Sequence, residues 1–305
     1  MVHRTEEGAD VSAVVLAGAS GLIGTALADT LRAQGREVRV LVRREPRAPG
    51  EVRWDPDSGL LPDEVFDGVA RVVNLGGAGV GERRWTPARK AHLISSRVAG
   101  TSLIATRISR RDEPIRLIQA SAVGFYGDTG EAVVREDHPA GTTFLSGLCR
   151  SWEAATQPAV DAGLPVAVVR SGIVLSRTGG AIGRLNLLLR IGLAGPMGSG
   201  RQWWPWITLA DQVGAIVHLL DSDVTGPVNL TAPEPARNAD LTRTLAAALH
   251  RPAVVPVPAF ALRIALGEFA GELLQSQRVL PGVLQADGFE FAHPSPESAA
   301  QYLYG

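Results

Sequence analysis

A single cysteine, Cys149, stands in 305 residues, so no disulfide can close within the chain. That usage suits a reducing compartment, and the cytoplasm is the expected location. Lysine is as scarce: Lys90 stands alone beside 29 arginines, so chemistry that needs a lysine amine has one candidate. Tyrosine occurs three times, as Tyr126, Tyr302 and Tyr304. Neither sign of charge is in excess. A net charge of −1 offers no basic field to a nucleic acid. The longest apolar region, 254–274, is interrupted by Pro256, Pro258, Arg263, Glu268 and Glu272, which excludes a membrane span. Residues 1–10 are polar, lack the apolar core of a signal peptide and read as a tail. The six histidines show no metal-ligand spacing, so no metal site is expected. What is left, 45% hydrophobic and 20% charged residues, is the composition of a soluble globular protein of one large domain or two lobes.

Against that background one junction stands out. An apolar, strand-forming run at 11–17 leads straight into Gly18-Ala-Ser-Gly21-Leu-Ile-Gly24, and a helical pattern follows over 22–34. A strand, a glycine-rich turn and a helix in that order read as a pyrophosphate site, the alternative being a glycine-rich structural turn. Gly18 takes the tight turn, Gly21 keeps the phosphates' approach clear, and Gly24 lets helix and strand pack closely. The helix N-terminus supplies free N–H groups and a positive dipole end. Ser20, Leu22 and Ile23 complete this expected cofactor-binding turn. Further strands at 37–42, 71–75, 116–120 and 165–170 alternate with helices at 87–110 and 145–162. The alternation predicts an α/β fold, a Rossmann-type doubly wound parallel sheet over 11–175, with ligands beyond the carboxyl ends of the strands. A smaller, mainly helical substrate lobe is expected over 176–305, with a small C-terminal domain at 251–305. Segments such as 206–232 are expected to return to the first domain.

The second strand ends at Arg43-Arg44, where an NAD-binding unit usually carries Asp or Glu for the ribose 2′-hydroxyl. Two guanidiniums suit the 2′-phosphate of NADP instead, or form a solvated strand end; NADP(H) is favoured over NAD(H). Leu75-Gly76-Gly77, after the strand at 71–75, would let the backbone approach the same ligand.

Together these segments resemble the extended short-chain dehydrogenase/reductase superfamily, and within it the atypical "epimerase family" branch with a C-terminal domain of unassigned function. Further landmarks are Trp85, Ser96-Arg97-Val98, Ser121-Ala-Val-Gly-Phe-Tyr-Gly127, Trp152-Glu153, Arg170-Ser-Gly-Ile-Val-Leu175, Gly198-Ser-Gly-Arg-Gln202 and Gly288-Phe-Glu-Phe291. The resemblance implies a Tyr-x-x-x-Lys pair with a Ser or Thr. Here Leu145 and Cys149 fall at the Tyr and Lys positions and Ala122 at the Ser/Thr position, so all three slots are empty.

Three residues are candidates to replace them. Tyr126 is a proton donor and substrate contact, or a packing tyrosine at a turn. Arg97 falls where typical members carry Asn, and binds cofactor phosphate or a substrate anion unless it is a surface residue. Ser121 bonds the nicotinamide ribose or a substrate carbonyl, or merely ends its strand. Lys90 reads as a surface residue, and Cys149 as a small buried one. By the resemblance, Ala122, Ser171, Gly172 and Val174 lie along the nicotinamide. The loop with Arg201, Gln202, Trp203 and Trp204 faces the substrate; its tryptophans otherwise pack between lobes or form a dimer surface. The expectation is an NADP(H)-dependent oxidoreductase or epimerase-like enzyme acting on a small carbonyl, enone or sugar-like molecule. The alternative is a non-catalytic NADP(H)-binding sensor or scaffold. The expected partner is a small-molecule substrate, not nucleic acid or membrane, and a homodimer is the assembly expected from related folds.

Overall fold

The computed structural model describes residues 13–177, 179, 189–190 and 194–305. The tail at 1–10 and the start of the strand expected at 11–17 lie outside the described residues. Seven parallel strands form the central sheet: β1 (Ala13–Ala17), β2 (Val38–Val42), β3 (Glu51–Arg53), β4 (Val69–Asn74), β5 (Arg116–Ala122), β6 (Val166–Ser171) and β7 (Gly226–Leu230). Their spatial order is 3-2-1-4-5-6-7, every neighbouring pair parallel. After β3 the chain returns to the other side of β1. The β1–β4 boundary is therefore the switch point at which such a sheet opens a crevice.

Strands this apolar have to be covered on both faces. Helix α1 (Leu22–Ala33) lays Leu27 and Leu31 on one face with Val14, Leu16 and Val40, where Val213, Ile216 and Leu219 of the later helix Leu209–Leu220 join them. On the other face α2 (Pro87–Ile108) packs Ile104, Ala105 and Ile108 against Val15, Ala17, Val72 and Leu117. The helix Leu209–Leu220 and the strand Gly226–Leu230, within the segment expected at 206–232, thus pack on and pair with the central sheet. The second lobe has its own core, in which Trp204, Trp206, Leu241, Leu245 and Leu303 are buried.

Two elements depart from the sequence reading. The single helix expected over 145–162 is two: α3 (Phe144–Ala154) and a short turn of helix at Gln157–Asp161. Pro158 lacks the N–H that would bond to the Ala154 carbonyl, so the ladder of α3 stops there, and the proline sits in the first turn of the next helix, where it is tolerated. Strand β3, three residues long at the sheet edge, carries too little periodicity to be read in advance. No helix among the described residues is long and apolar enough to cross a membrane, and they contain no metal-holding cluster of His, Cys, Asp and Glu.

Candidate functional site

A cleft of about 710 Å³ opens at the switch point, between the turn after β1, the end of β2 and the loop after β4. Each glycine of the turn has a different reason to be glycine. Gly18 has φ of +83°, and a Cβ there would stand 2.7 Å from the Leu75 carbonyl carbon. At Gly24 a Cβ would stand 2.2 Å from the Gly18 carbonyl oxygen. Those two are demanded by the protein itself. Gly21 is not: a Cβ there would meet only the Gly18 oxygen, at 3.5 Å. Its missing side chain keeps open space in the cleft. It is also the N-cap of α1, with no side-chain cap and no acidic residue in the first turn. The positive end of α1 is therefore left uncompensated at the cleft, an arrangement suited to an anion. Ser20 lines the cleft; Leu22 and Ile23 are half-buried on the first turn of α1, and Ile23 packs on the core.

At the end of β2 the two arginines part company. Arg44 is held by Glu51 of β3, with Nη2 donating to Oε1 at 2.5 Å and Nη1 to Oε2 at 2.7 Å. The guanidinium holds the Glu51 carboxyl down at about 2, helped by the Arg47 backbone N–H. Arg43 lines the cleft and makes no hydrogen bond or ion pair among the described residues. Both arginines thus line the cleft, as expected from the sequence; Arg44 is in addition paired with Glu51 of the edge strand. Cleft residues missed from the sequence include Trp54, just beyond β3, and His92 and Ser96, four apart on α2. The helical spacing of the last two was the available signal; Trp54 depended on an edge strand not recognised.

Asn74 shapes the β4 end. Its Oδ1 accepts from the Gly76 N–H at 3.1 Å, while its Nδ2 donates to Thr101 and Gln119. Leu75, Gly76 and Gly77 then form the cleft wall. Behind Gly77 lies Arg97, 8% exposed, its guanidinium 4.9 Å from the centre of the Trp152 ring. Nη1 donates to the Leu93 carbonyl at 3.0 Å and Nε has no partner. Burial lowers its pKa to about 10.

The ends of β5 and β6 hold a closed polar cluster. Arg170 forms a two-pronged pair with Glu153, Nε to Oε1 and Nη2 to Oε2, each at 2.9 Å. Ser121 Oγ donates to the same Oε1 at 2.6 Å. Arg170 Nη1 donates to the Tyr126 hydroxyl at 3.0 Å, which in turn donates to Asn229 Oδ1 at 2.6 Å. Tyr126 is 2% exposed, and burial pushes its pKa up. The packing alternative describes it: both hydrogen-bonding positions of the hydroxyl are taken inside the protein, which corrects the proton-donor and substrate-contact expectation. Ser121 is likewise held inward by Glu153. Ala122 is half-buried beside it, and the Cys149 thiol is buried and pushed up to about 11. Ser171 accepts a hydrogen bond from Gln212 at 2.9 Å. Gly172 is pressed on Pro205, whose oxygen would lie 2.3 Å from a Cβ there, and Val174 packs on the α1-side core.

The tryptophan loop divides similarly. Gln202 folds its amide back to the Met197 carbonyl at 2.9 Å, and Trp204 is a core residue bonded to the Leu273 carbonyl. Neither offers its side chain to a ligand, so both leave the substrate set. Trp203 has the guanidiniums of Arg237 and Arg278 4.5 and 4.6 Å from its ring centre, and its Nε1 donates to Glu131. Arg201 is exposed beside it.

A family model described as the NAD dependent epimerase/dehydratase family matches residues 14–231, and one described as a domain of unknown function matches 257–303. An epimerase family protein of Mycobacterium bovis is 42% identical over 291 residues, covering 95% of this chain and 96% of its own length. The crystal structure of human epimerase family protein SDR39U1 (isoform 2) with NADPH matches at a TM-score of 0.88 and 35% identity, covering 95% of this chain and 98% of that one. A nucleoside-diphosphate sugar epimerase of Corynebacterium glutamicum matches at 0.79 and 33%, covering 96% of this chain and 58% of that one.

Proposed function

The chain belongs to the NAD-dependent epimerase/dehydratase family, as an extended, atypical short-chain dehydrogenase/reductase, and from that premise we propose an NADP(H)-dependent oxidoreductase or epimerase-like enzyme acting on a small carbonyl, enone or sugar-like substrate. One observation carries the proposal: a single cleft is lined both by the uncapped N-terminus of α1 and by Arg43, which makes no hydrogen bond or ion pair among the described residues. The helix N-terminus suits a diphosphate, and the guanidinium suits a ribose 2′-phosphate. The residues fit the group, since the bareness of Gly21 serves no packing need of the protein. The human relative crystallised with NADPH supports the same cofactor.

In this reading the first turn of α1, from Gly18 to Gly24, receives the diphosphate, and Arg43 receives the 2′-phosphate. Leu75, Gly76 and Gly77 give the wall, and Ala122, Ser171, Gly172 and Val174 border the nicotinamide end. When bound, NADP(H) supplies hydride transfer, and the protein contributes orientation and electrostatics. Ser121, Glu153, Arg170 and Tyr126 act as a brace that fixes the strand ends. Trp203 and Arg201 remain the substrate-side contacts. The cytoplasm and a homodimer are the setting and assembly this reading carries.

Dissociation constants for NADPH and NADH, measured side by side by nicotinamide fluorescence, test the proposal. NADPH is expected to bind at least tenfold tighter. Equal affinities overturn the cofactor preference, and binding of neither overturns the reading. A second reading, a non-catalytic NADP(H)-binding sensor or scaffold, is favoured by the inward bonding of both Ser121 and Tyr126. Oxidation of bound NADPH by a panel of carbonyls and enones separates the two, since the sensor binds the cofactor without turnover.

A further inference from the structure

We propose that Glu272, in the short helix Phe269–Leu274 of the second lobe, is the proton donor that replaces the missing tyrosine. It gives its carboxyl proton to the oxygen of a carbonyl substrate at the nicotinamide end of the cleft. The inference rests on the enzyme reading above.

The acids that the first lobe brings to that end are already spent. The N-terminus of α3 reaches the cleft through one apolar cluster, on which Phe144, Leu145 and Ala122 pack together with Leu75 and Ala78 of the cleft wall. Leu145, at the tyrosine position, lies against Gly124, where a Cβ would stand 3.2 Å from the leucine Cβ. It has no proton to give. Ser121 and Tyr126 donate theirs to Glu153 and Asn229. The Cys149 thiol is buried and pushed up to about 11. Lys90 is paired with Glu268 at 2.5 Å.

Glu272 comes to the same place from the other lobe. Its carboxyl faces the hydroxyl of Thr143, the N-cap of α3, two residues before Leu145. Phe269 lies one helical turn back on the same face. Its ring stands 5.5 Å from that of Trp85, which in turn stands 4.9 Å from that of Phe144. The helix therefore meets the start of α3 with the face that carries Glu272. Both of its flanks are tied to the first lobe. Glu268 is held by Lys90 of α2. Beyond it, the Ser276 carbonyl accepts from the Thr129 N–H at 2.9 Å, and Gln277 donates to the Val123 and Gly127 carbonyls.

The surroundings favour the acid over its anion. Burial holds the Glu272 carboxyl above the usual glutamate range and Glu268 adds to this, against the opposing pull of Gln275, Thr143 and Lys90. Gln275, which also faces the carboxyl, has a buried Oε1 with no donor among the described residues. A carboxylate cannot supply one, and a protonated carboxyl can. In the reaction the carbonyl carbon gains a hydride, for which reduced nicotinamide is the source. The electron pair of the C=O π bond moves to oxygen, and the carboxyl O–H breaks as the new O–H forms. Glu272 is left as a carboxylate that water reprotonates, and the product is an alcohol.

Carbon-13 carboxyl resonances of the unliganded full chain, followed against pH, test the acid without cofactor or substrate. One glutamate is expected to titrate above the ordinary value of about 4.3, and its signal to be missing from Glu272→Gln. A Glu272 carboxyl that titrates at or below that value overturns the proposal. NADPH oxidation by the panel of carbonyls tests the transfer. In wild type, kcat is expected to fall as pH rises through the same pKa. Glu272→Gln should lower kcat about 10²- to 10⁴-fold, the contribution of a positioned acid, with KM and the NADPH dissociation constant within threefold. Glu272→Asp, which keeps a carboxyl one methylene short, should restore part of the loss. A kcat within threefold of wild type in Glu272→Gln, or a rise in KM alone, overturns the proposal and leaves the enzyme reading standing. Wild type that binds NADPH and turns over no carbonyl overturns the enzyme reading, and the proposal with it.

Discussion

At the scale of single residues, the site separates positions the fold needs from positions a ligand needs. Gly24→Ala would force a Cβ into the Gly18 carbonyl and is expected to cost about 1–3 kcal/mol by overpacking, read in urea unfolding. Gly21→Ala is expected to fold with near-wild-type stability and to lose at least tenfold in NADPH affinity; unchanged affinity would show that its open space is incidental. Arg43→Ala is expected to weaken NADPH far more than NADH. Arg44→Ala should weaken both little, because Arg44 is engaged with Glu51. Cys149 gives a pH signature. Its thiol is pushed up to about 11 by burial, against an unfolded value of about 8.5. A raised pKa stabilises the protonated folded form, so the contribution is complete below pH ~8.5 and is lost as pH rises towards 11. Cys149→Ala should therefore flatten the alkaline decline in unfolding free energy over that window, and an unchanged decline would assign it to other groups.

At the scale of elements, Glu153 of α3 ties β5 and β6 together, accepting from Ser121 and from both prongs of Arg170. Glu153→Gln leaves Arg170 buried beside a neutral amide. A loss of about 3–5 kcal/mol is expected from chemical denaturation, the cost of breaking a buried pair. NADPH affinity of the folded variant should change by less than threefold, because the cluster faces inward; a large loss of affinity with intact stability would instead place Glu153 at the ligand. Here the limits of sequence reading are also visible. β1, β2, β4, β5 and β6 were legible because a strand buried on both faces is a continuous apolar run. The glycine turn was legible because its function is written in backbone freedom. The split after Ala154 is marked in the sequence by Pro158. What could not be read was which way a polar side chain turns. Ser121, Tyr126 and Gln202 are chemically able to meet a ligand, and their inward partners Glu153, Asn229 and Met197 lie 5 to 103 residues away in the chain. Residue type gives capacity; only packing decides its use.

At the scale of the molecule, the two lobes are not independent. Strand Trp206–Thr208 pairs with Ile173–Leu175, just beyond β6, and Trp206 is buried in the second core while Ile207 is buried in the first. Arg278–Val279 pairs with Val133–Val134, and Gln277 donates to the Val123 and Gly127 carbonyls after β5. A single cooperative unfolding transition is expected, with tryptophan fluorescence and far-ultraviolet dichroism coincident. Saturating NADPH should raise it as a whole, by about 2.7 kcal/mol at 100 times the dissociation constant. Two separated transitions, only one of them shifted by NADPH, would show that the lobes fold apart.

The place of Trp54 has an optical consequence. Of six tryptophans, this one lies in the wall of the cleft beside Gly100, buried yet bordering the space a dinucleotide would fill. Indole emission overlaps the near-ultraviolet absorption of a reduced nicotinamide, so a cofactor seated there accepts excitation energy from Trp54. Loading should dim the protein's own glow and brighten the cofactor's in step, and oxidised cofactor, which does not absorb in that band, should leave that transfer dark. With NADP(H) as the occupant proposed above, this emission would report the redox state of the bound cofactor without a label.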